Sequence, residues 1–119
     1  TCSAPVATRN YGLSKTQYEQ ALYQRIVEVL HTAVYYGYKN LVLGAWGCGA
    51  FGNDAVVMAE LFQKALERKT SDGYTLQQMF ENICFAVLDK SEKQYNYRSF
   101  ADIFGRTIQN DEDLENCVL

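Results

Sequence analysis

Basic residues are few in this sequence and never massed. No run of Lys or Arg exceeds two residues, Arg68-Lys69 being the densest, and the net charge is −3 with a pI near 5.1. Direct nucleic-acid binding is therefore not expected, because a polyanionic backbone is held by clustered cations. There is one histidine, His31, and no C-x-x-C pair; Cys2, Cys48, Cys84 and Cys117 stand at least 33 residues apart. That spacing does not offer the close ligand pairs of a zinc site, so no metal is expected, and the thiols read as reduced in a cytoplasmic protein. Apolar runs reach about seven residues, far short of a membrane span, and no basic region followed by an apolar run opens the chain as a signal peptide would. A single proline, Pro5, leaves most of the 119 residues free to form regular elements.

What is present suits one small α/β domain or a piece of one. Hydrophobic residues make up 48% and charged residues 21%, and 13% aromatics imply rings in the core or around a pocket. Ser14 with Gln17 three residues later is a capping-box pattern. It opens a helix to about Tyr36, with Leu22, Ile26, Val29, Leu30, Ala33 and Val34 on one stripe and Gly37 as its stop. The run Leu41 to Trp46 reads as a strand buried on both faces. A second helix is expected from about Asp54 to Arg68, with Asn53 or Asp54 as N-cap. A short amphipathic turn over 75–82, a second buried strand over 83–88 and a last helix over 96–106 follow. Residues 107–119, with Asp111-Glu112-Asp113, read as a loosely ordered acidic tail. This alternation predicts a mostly parallel sheet layered with helices. So narrow a sheet needs company, from an N-terminal half or from a second copy of the chain. The opening Thr1-Cys2-Ser3-Ala4-Pro5, without an initiator Met, reads like the end of a strand and suggests a fragment.

The chemistry concentrates in residues 44–54, GAWGCGAFGND. Gly44, Gly47, Gly49 and Gly52 fall within nine residues at the carboxyl end of a strand, where open α/β sheets bind ligands. Glycine allows positive φ and close backbone approach, and the next helix turns its unsatisfied N–H groups toward the loop. A phosphate or diphosphate fits such a place without a Lys or Arg. Gly47-x-Gly49-x-x-Gly52 also matches the dinucleotide fingerprint, but the acidic residue expected about 20 positions on is absent. Walker and kinase loops lack their companion motifs.

The stretch Leu41 to Asp54, LVLGAWGCGAFGND, resembles the diphosphate-binding loop of microbial-type poly(ADP-ribose) glycohydrolases, a branch of the macrodomains. Phe85-Ala86-Val87-Leu88-Asp89 is similar to that family's last core strand, and Thr1 to Pro5 to the strand end before its long helix. The likeness runs in order over about residues 1–104. It implies a macrodomain-like three-layer α/β/α fold, of which residues 1–106 would form the C-terminal half. It also implies ADP-ribose or poly(ADP-ribose) as partner, with no cofactor. The ligand-binding segment would be Gly44, Ala45, Trp46, Gly47, Cys48, Gly49, Ala50, Phe51, Gly52 and Asn53. Backbone N–H groups from Gly47 to Gly52 would hold the diphosphate, and Phe51 would pack beside the distal ribose. Leu88 and Asp89 would lie on the adenine side. Ala55 stands where the family often has Pro. The catalytic Gly-Gly-Gly and Gln-Glu-Glu segment has no counterpart here, so no residue is assigned a catalytic role; the intact parent would hydrolyse ribose–ribose O-glycosidic bonds.

Two rival functions remain: a non-catalytic module that binds ADP-ribose or another nucleotide, and a fragment of an NAD-dependent oxidoreductase. His31 reads as a core-edge residue, Cys48 as a small filler, and Trp46 as packing at a strand end. Tyr35, Tyr36 and Tyr38 read as a helix terminus covering the core. Tyr95 and Tyr97 border the adenine side or cover a sheet edge.

Overall fold

A computed structural model describes residues 3–7 and 12–105, together with the backbone of 117–118. Helix α1 spans Lys15–Tyr35 and opens on the expected capping box: the Gln17 N–H donates to Ser14 Oγ and the Ser14 N–H to Gln17 Oε1. Gly37, at φ +76°, sits just past its end. The face that α1 buries is Leu22, Ile26, Val27 and Leu30. Val27 replaces the expected Val29, which is only partly buried, because the inward stripe lies slightly round the helix from the predicted one.

Strand β1, Asn40–Leu43, leads through the glycine-rich loop to helix α2, Ala55–Leu66. Asp54 caps α2, its carboxylate accepting the N–H groups of Val56 and Val57 at 2.9 and 3.1 Å. A cap of this kind stabilises a helix by about 1 kcal/mol. The turn expected over 75–82 is a single 3-10 turn, Gln77–Met79, between the buried Leu76 and Phe80. Strand β2, Asn82–Ala86, then lies parallel to β1 with Leu43 opposite Phe85. Helix α3, Tyr95–Phe104, closes the layer. In the tail, Cys117–Val118 forms a two-residue strand β3 antiparallel to β2, giving the order β1-β2-β3. The rest of the expected acidic tail, and Thr1-Cys2 at the other end, lie outside the described residues.

One core joins the elements. Leu22, Ile26 and Leu30 of α1, Met58 and Phe62 of α2, Phe85 of β2 and Phe100 of α3 belong to a single buried cluster. Phe85 is its centre, edge-on to Phe62 at 5.3 Å, tilted to Phe100 at 5.3 Å and stacked on Phe104 at 4.4 Å. Truncating such a ring costs about 3–5 kcal/mol through lost burial and the cavity left behind.

Two sequence expectations are corrected. The strands are not buried on both faces: Leu41, Leu43, Ile83, Phe85 and Val87 turn to the helices, whereas Val42 is 77% and Leu88 73% exposed. Alternate residues of a strand point to opposite faces, and the described helices cover one face only. The thiols are not uniformly reduced either. Cys84 is disulfide-bonded, and Cys48 is the free cysteine among the described side chains.

Candidate functional site

Strands β1 and β2 are parallel, so the loop after Leu43 and the segment after Ala86 emerge at the same end of the sheet. The loop has a stem and a crown. In the stem, the Trp46 N–H donates to Gly44 O, the Cys48 N–H to Ala45 O and the Asn53 N–H to Gly47 O, at 2.8, 3.1 and 3.0 Å. Gly47 has φ +75°, and a Cβ there would come within 2.6 Å of both Ala4 Cβ and Asn53 Nδ2. No other residue fits.

Asn53 ties the stem to two other parts of the chain. Its side-chain nitrogen donates to Pro5 O and Gly47 O, both at 2.9 Å, and its side-chain oxygen accepts the Tyr18 hydroxyl of α1. The residue is 5% exposed. Burial of an amide is tolerable only when its hydrogen bonds are made, and here both ends of the group are satisfied. Asn53, grouped by sequence with the ligand contacts, therefore holds the loop's shape with its side chain.

The crown is Gly49, Ala50 and Phe51, all exposed. A turn closes it, with the Gly52 N–H donating to Gly49 O at 2.9 Å, and Phe51 O accepts the Ala7 N–H at 2.8 Å. Among the described residues, the N–H groups of Gly49, Ala50 and Phe51 have no acceptor, nor does that of Gly47. Successive unpaired N–H groups in a turn form a concave donor array suited to an anion. The N–H groups of Cys48 and Gly52, expected in the same role, are instead used within the loop. The side of Gly49 where a Cβ would project is open for 4 Å.

The helix behind the loop contributes less than expected. The Asp54 carboxylate already occupies the first-turn donors of α2, and its other oxygen accepts the Tyr95 hydroxyl at 3.2 Å. A negative charge at that point opposes the positive end of the helix dipole. An anion at this end of the sheet would thus meet free donors at the crown and not at the helix terminus. The bond to Asp54 also holds the Tyr95 hydroxyl above its ordinary pKa.

Leu88 and Asp89 lie at this same end, Leu88 open to solvent and Asp89 turned to its own chain. One Asp89 oxygen accepts the Ser91 N–H at 3.0 Å; the other accepts the N–H groups of Asn96 and Tyr97 at 2.9 and 3.4 Å. Its bonds to Ser91, then those to Tyr97 and Asn96, pull its carboxyl below the ordinary range. Asp89 thereby caps α3, whose first neighbour Gln94 is left-handed at φ 46° and offers no cap of its own. Both carboxylates bordering the loop end are engaged as helix caps. Cys48 is half-buried; burial first, and the Asp54 charge second, push its thiol up to about 11. It is a filler and not an activated nucleophile, as its place against the core suggests.

A cavity of about 680 Å³ opens at the opposite end of the sheet, between Leu66, Phe80, Ile83 and Phe104. Glu67 and Glu81 on its rim would repel an anion. Among the described residues no group of His, Cys, Asp and Glu side chains could hold a metal ion, and no helix is long and apolar enough to cross a membrane.

Sequence reasoning missed Tyr18 and Pro5. A hydroxyl on the first turn of a helix carries no sign of an amide 35 residues later.

No family model and no curated protein matches the chain. Solved structures do. The poly(ADP-ribose) glycohydrolase of Deinococcus radiodurans, crystallised in complex with ADP-ribose, is 33% identical with a TM-score of 0.72; the match covers 85% of this chain and 40% of that one. The glycohydrolase of Thermomonospora curvata is 35% identical with a TM-score of 0.73, over 85% of this chain and 36% of its own. The chain thus spans well under half the length of the proteins it matches. Its fold matches theirs over most of its own length, so the chain is similar to part of a microbial poly(ADP-ribose) glycohydrolase.

Proposed function

We propose that this chain carries the diphosphate-binding part of an ADP-ribose site. In an intact parent the reaction would be hydrolysis of ribose–ribose O-glycosidic bonds. The observation that carries the reading is the crown: three successive free N–H groups, Gly49 to Phe51, on a stem fixed by Gly47 and Asn53. Donors set before the ligand arrives need no ordering on binding, which favours affinity. Phe51, 37% exposed beside these donors, supplies an apolar surface for a ribose. Leu88 and the ring of Tyr95 border the side assigned to adenine. The complex of the Deinococcus enzyme with ADP-ribose supports the choice of ligand. No group of this chain is assigned the proton transfer, since Asp54 and Asp89 are committed to capping.

The test is a calorimetric titration of ADP-ribose into the purified chain, with AMP as control. Saturable binding of ADP-ribose, weakened at least tenfold by Gly49→Glu, is the expected result. The substitution places a carboxylate at the crown where there is room for it, so the fold should survive. Equal affinity for AMP and ADP-ribose, or indifference to Gly49→Glu, would overturn the reading.

A non-catalytic binding module is favoured instead if the reading frame of the parent lacks Gly-Gly-Gly and Gln-Glu-Glu. Tighter binding of NAD than of ADP-ribose in competition would favour the oxidoreductase reading.

A further inference from the structure

The cavity at the far end of the sheet lies away from the glycine-rich loop and differs from it in charge. It forms where two helices stop: Leu66 and the cap Glu67 end α2, and Phe104 ends α3. Phe80 and Ile83 complete an apolar floor. The volume, about 680 Å³, is that of a small-molecule site. The surrounding charge has one sign. A helix C-terminus carries the negative end of the backbone dipole, and two of them meet here. Glu67 and Glu81 add exposed carboxylates, neither of them ion-paired among the described residues. No described residue lining the cavity is Lys or Arg. Lys64, in the last turn of α2, is turned to α1, its Nζ 4.8 Å from the centre of the Tyr23 ring. Lys39, whose carbonyl accepts the Glu81 N–H, donates from its ammonium to Met79 O at 3.5 Å.

We propose that this cavity binds a small organic cation, with an aryl or alkyl body on the apolar floor and an ammonium or guanidinium head at the Glu67 and Glu81 rim. The floor supplies affinity through the apolar area it removes from water, and the rim selects the charge. The same carboxylates turn away an anion. Concave shape and volume favour a compact molecule over an extended peptide. A second copy of this chain fits poorly, because it would bring a net charge of −3 to a negative rim. The inference does not rest on ADP-ribose binding, since the two sites lie at opposite ends of the sheet.

The test is an amide NMR titration of the purified chain with phenylbutylamine, and with phenylbutanol and phenylbutyrate as its neutral and anionic counterparts. The amine should bind saturably, with its largest shifts at Leu66, Glu67, Phe80, Ile83 and Phe104 and the amides of Gly49 to Phe51 unmoved. It should bind about fivefold tighter than the alcohol, a modest preference because exposed carboxylates act through water. The anion should bind weakest. In the double variant Glu67→Gln, Glu81→Gln the amine and the alcohol should bind within about twofold of each other. Both residues are exposed, so the fold should survive, and circular dichroism of the variant checks it. A folded chain that binds none of the three, an alcohol bound as tightly as the amine, a preference unchanged in the double variant, or shifts centred elsewhere would overturn the proposal. Tighter binding of a short peptide of Lys and Leu, or a dimer in sedimentation velocity that the amine dissociates, would give the cavity to another occupant and overturn it too. None of these outcomes bears on the Gly49→Glu titration.

Discussion

Gly47 and Asn53 stand six positions apart, and the loop treats its two parts in opposite ways. The stem turns its polar groups inward: Gly47 O accepts from both the backbone and the side chain of Asn53, and Asn53 reaches Pro5 and Tyr18 as well. The crown leaves three N–H groups outward and keeps space beside Gly49. The glycines look alike in the sequence but do different work. Nothing larger fits at Gly47, whereas the space beside Gly49 is open, which is where the proposed ligand would come close. Stability and binding should therefore separate along this loop.

The largest effect is expected at Gly47. Gly47→Ala forces a side chain into left-handed backbone and against Ala4 and Asn53, at a cost of about 3 kcal/mol or more. Chemical denaturation would show it, and a midpoint within error of wild type would break the distinction between stem and crown. Asn53→Ala comes next. It removes the side-chain bonds to Pro5 O, Gly47 O and the Tyr18 hydroxyl from a buried position, for about 2–3 kcal/mol by the same measurement. Tyr18→Phe removes one of those bonds and should cost about 1 kcal/mol. The two substitutions share a partner, so the double variant should lose less than the sum of the singles. Gly49→Glu, by contrast, should move stability by no more than about 0.5 kcal/mol while binding is lost.

The local parts of this arrangement were legible in the sequence, and the remote parts were not. Ser14 with Gln17, Asp54 before its helix and Gly37 after another are signals read over three or four residues, and each is found in its expected role. The position of the loop followed from its four glycines after an apolar run. The lock through Tyr18 and Asn53 escaped because it joins residues 35 apart, and both Asn53 and Asp54 suited the N-cap. Val42 was misread for another reason. In a short apolar run, a strand covered on two faces and one covered on a single face have the same sequence. The bonding of Cys84 carried no spacing signal.

Two smaller effects involve protons. With its thiol at about 11, about one Cys48 in a thousand is ionised at pH 8. Alkylation by iodoacetamide, followed at this residue by mass spectrometry, should be slow at pH 8 and quicken only toward pH 11. The raised value also means that the contribution of Cys48 to stability is intact below about pH 9 and fades as the pH rises toward 11. Alanine at position 48 should blunt that alkaline loss. Asp89 runs the other way: its carboxyl is lowered, so its cap on α3 holds above the ordinary value of 3.8 and weakens on further acidification. The Asp89→Asn variant should lose part of that acid sensitivity, read as a shallower fall in helical circular dichroism.

The central claim is that the crown N–H groups receive a diphosphate, and amide NMR tests it most directly. On titration with ADP-ribose, the amide protons of Gly49, Ala50 and Phe51 should move downfield and exchange more slowly. Those of Gly52 and Asn53, already bonded within the loop, should move little, and AMP should produce a smaller response throughout. Saturable binding whose largest shifts fall elsewhere, with the three crown amides unmoved, would contradict the account.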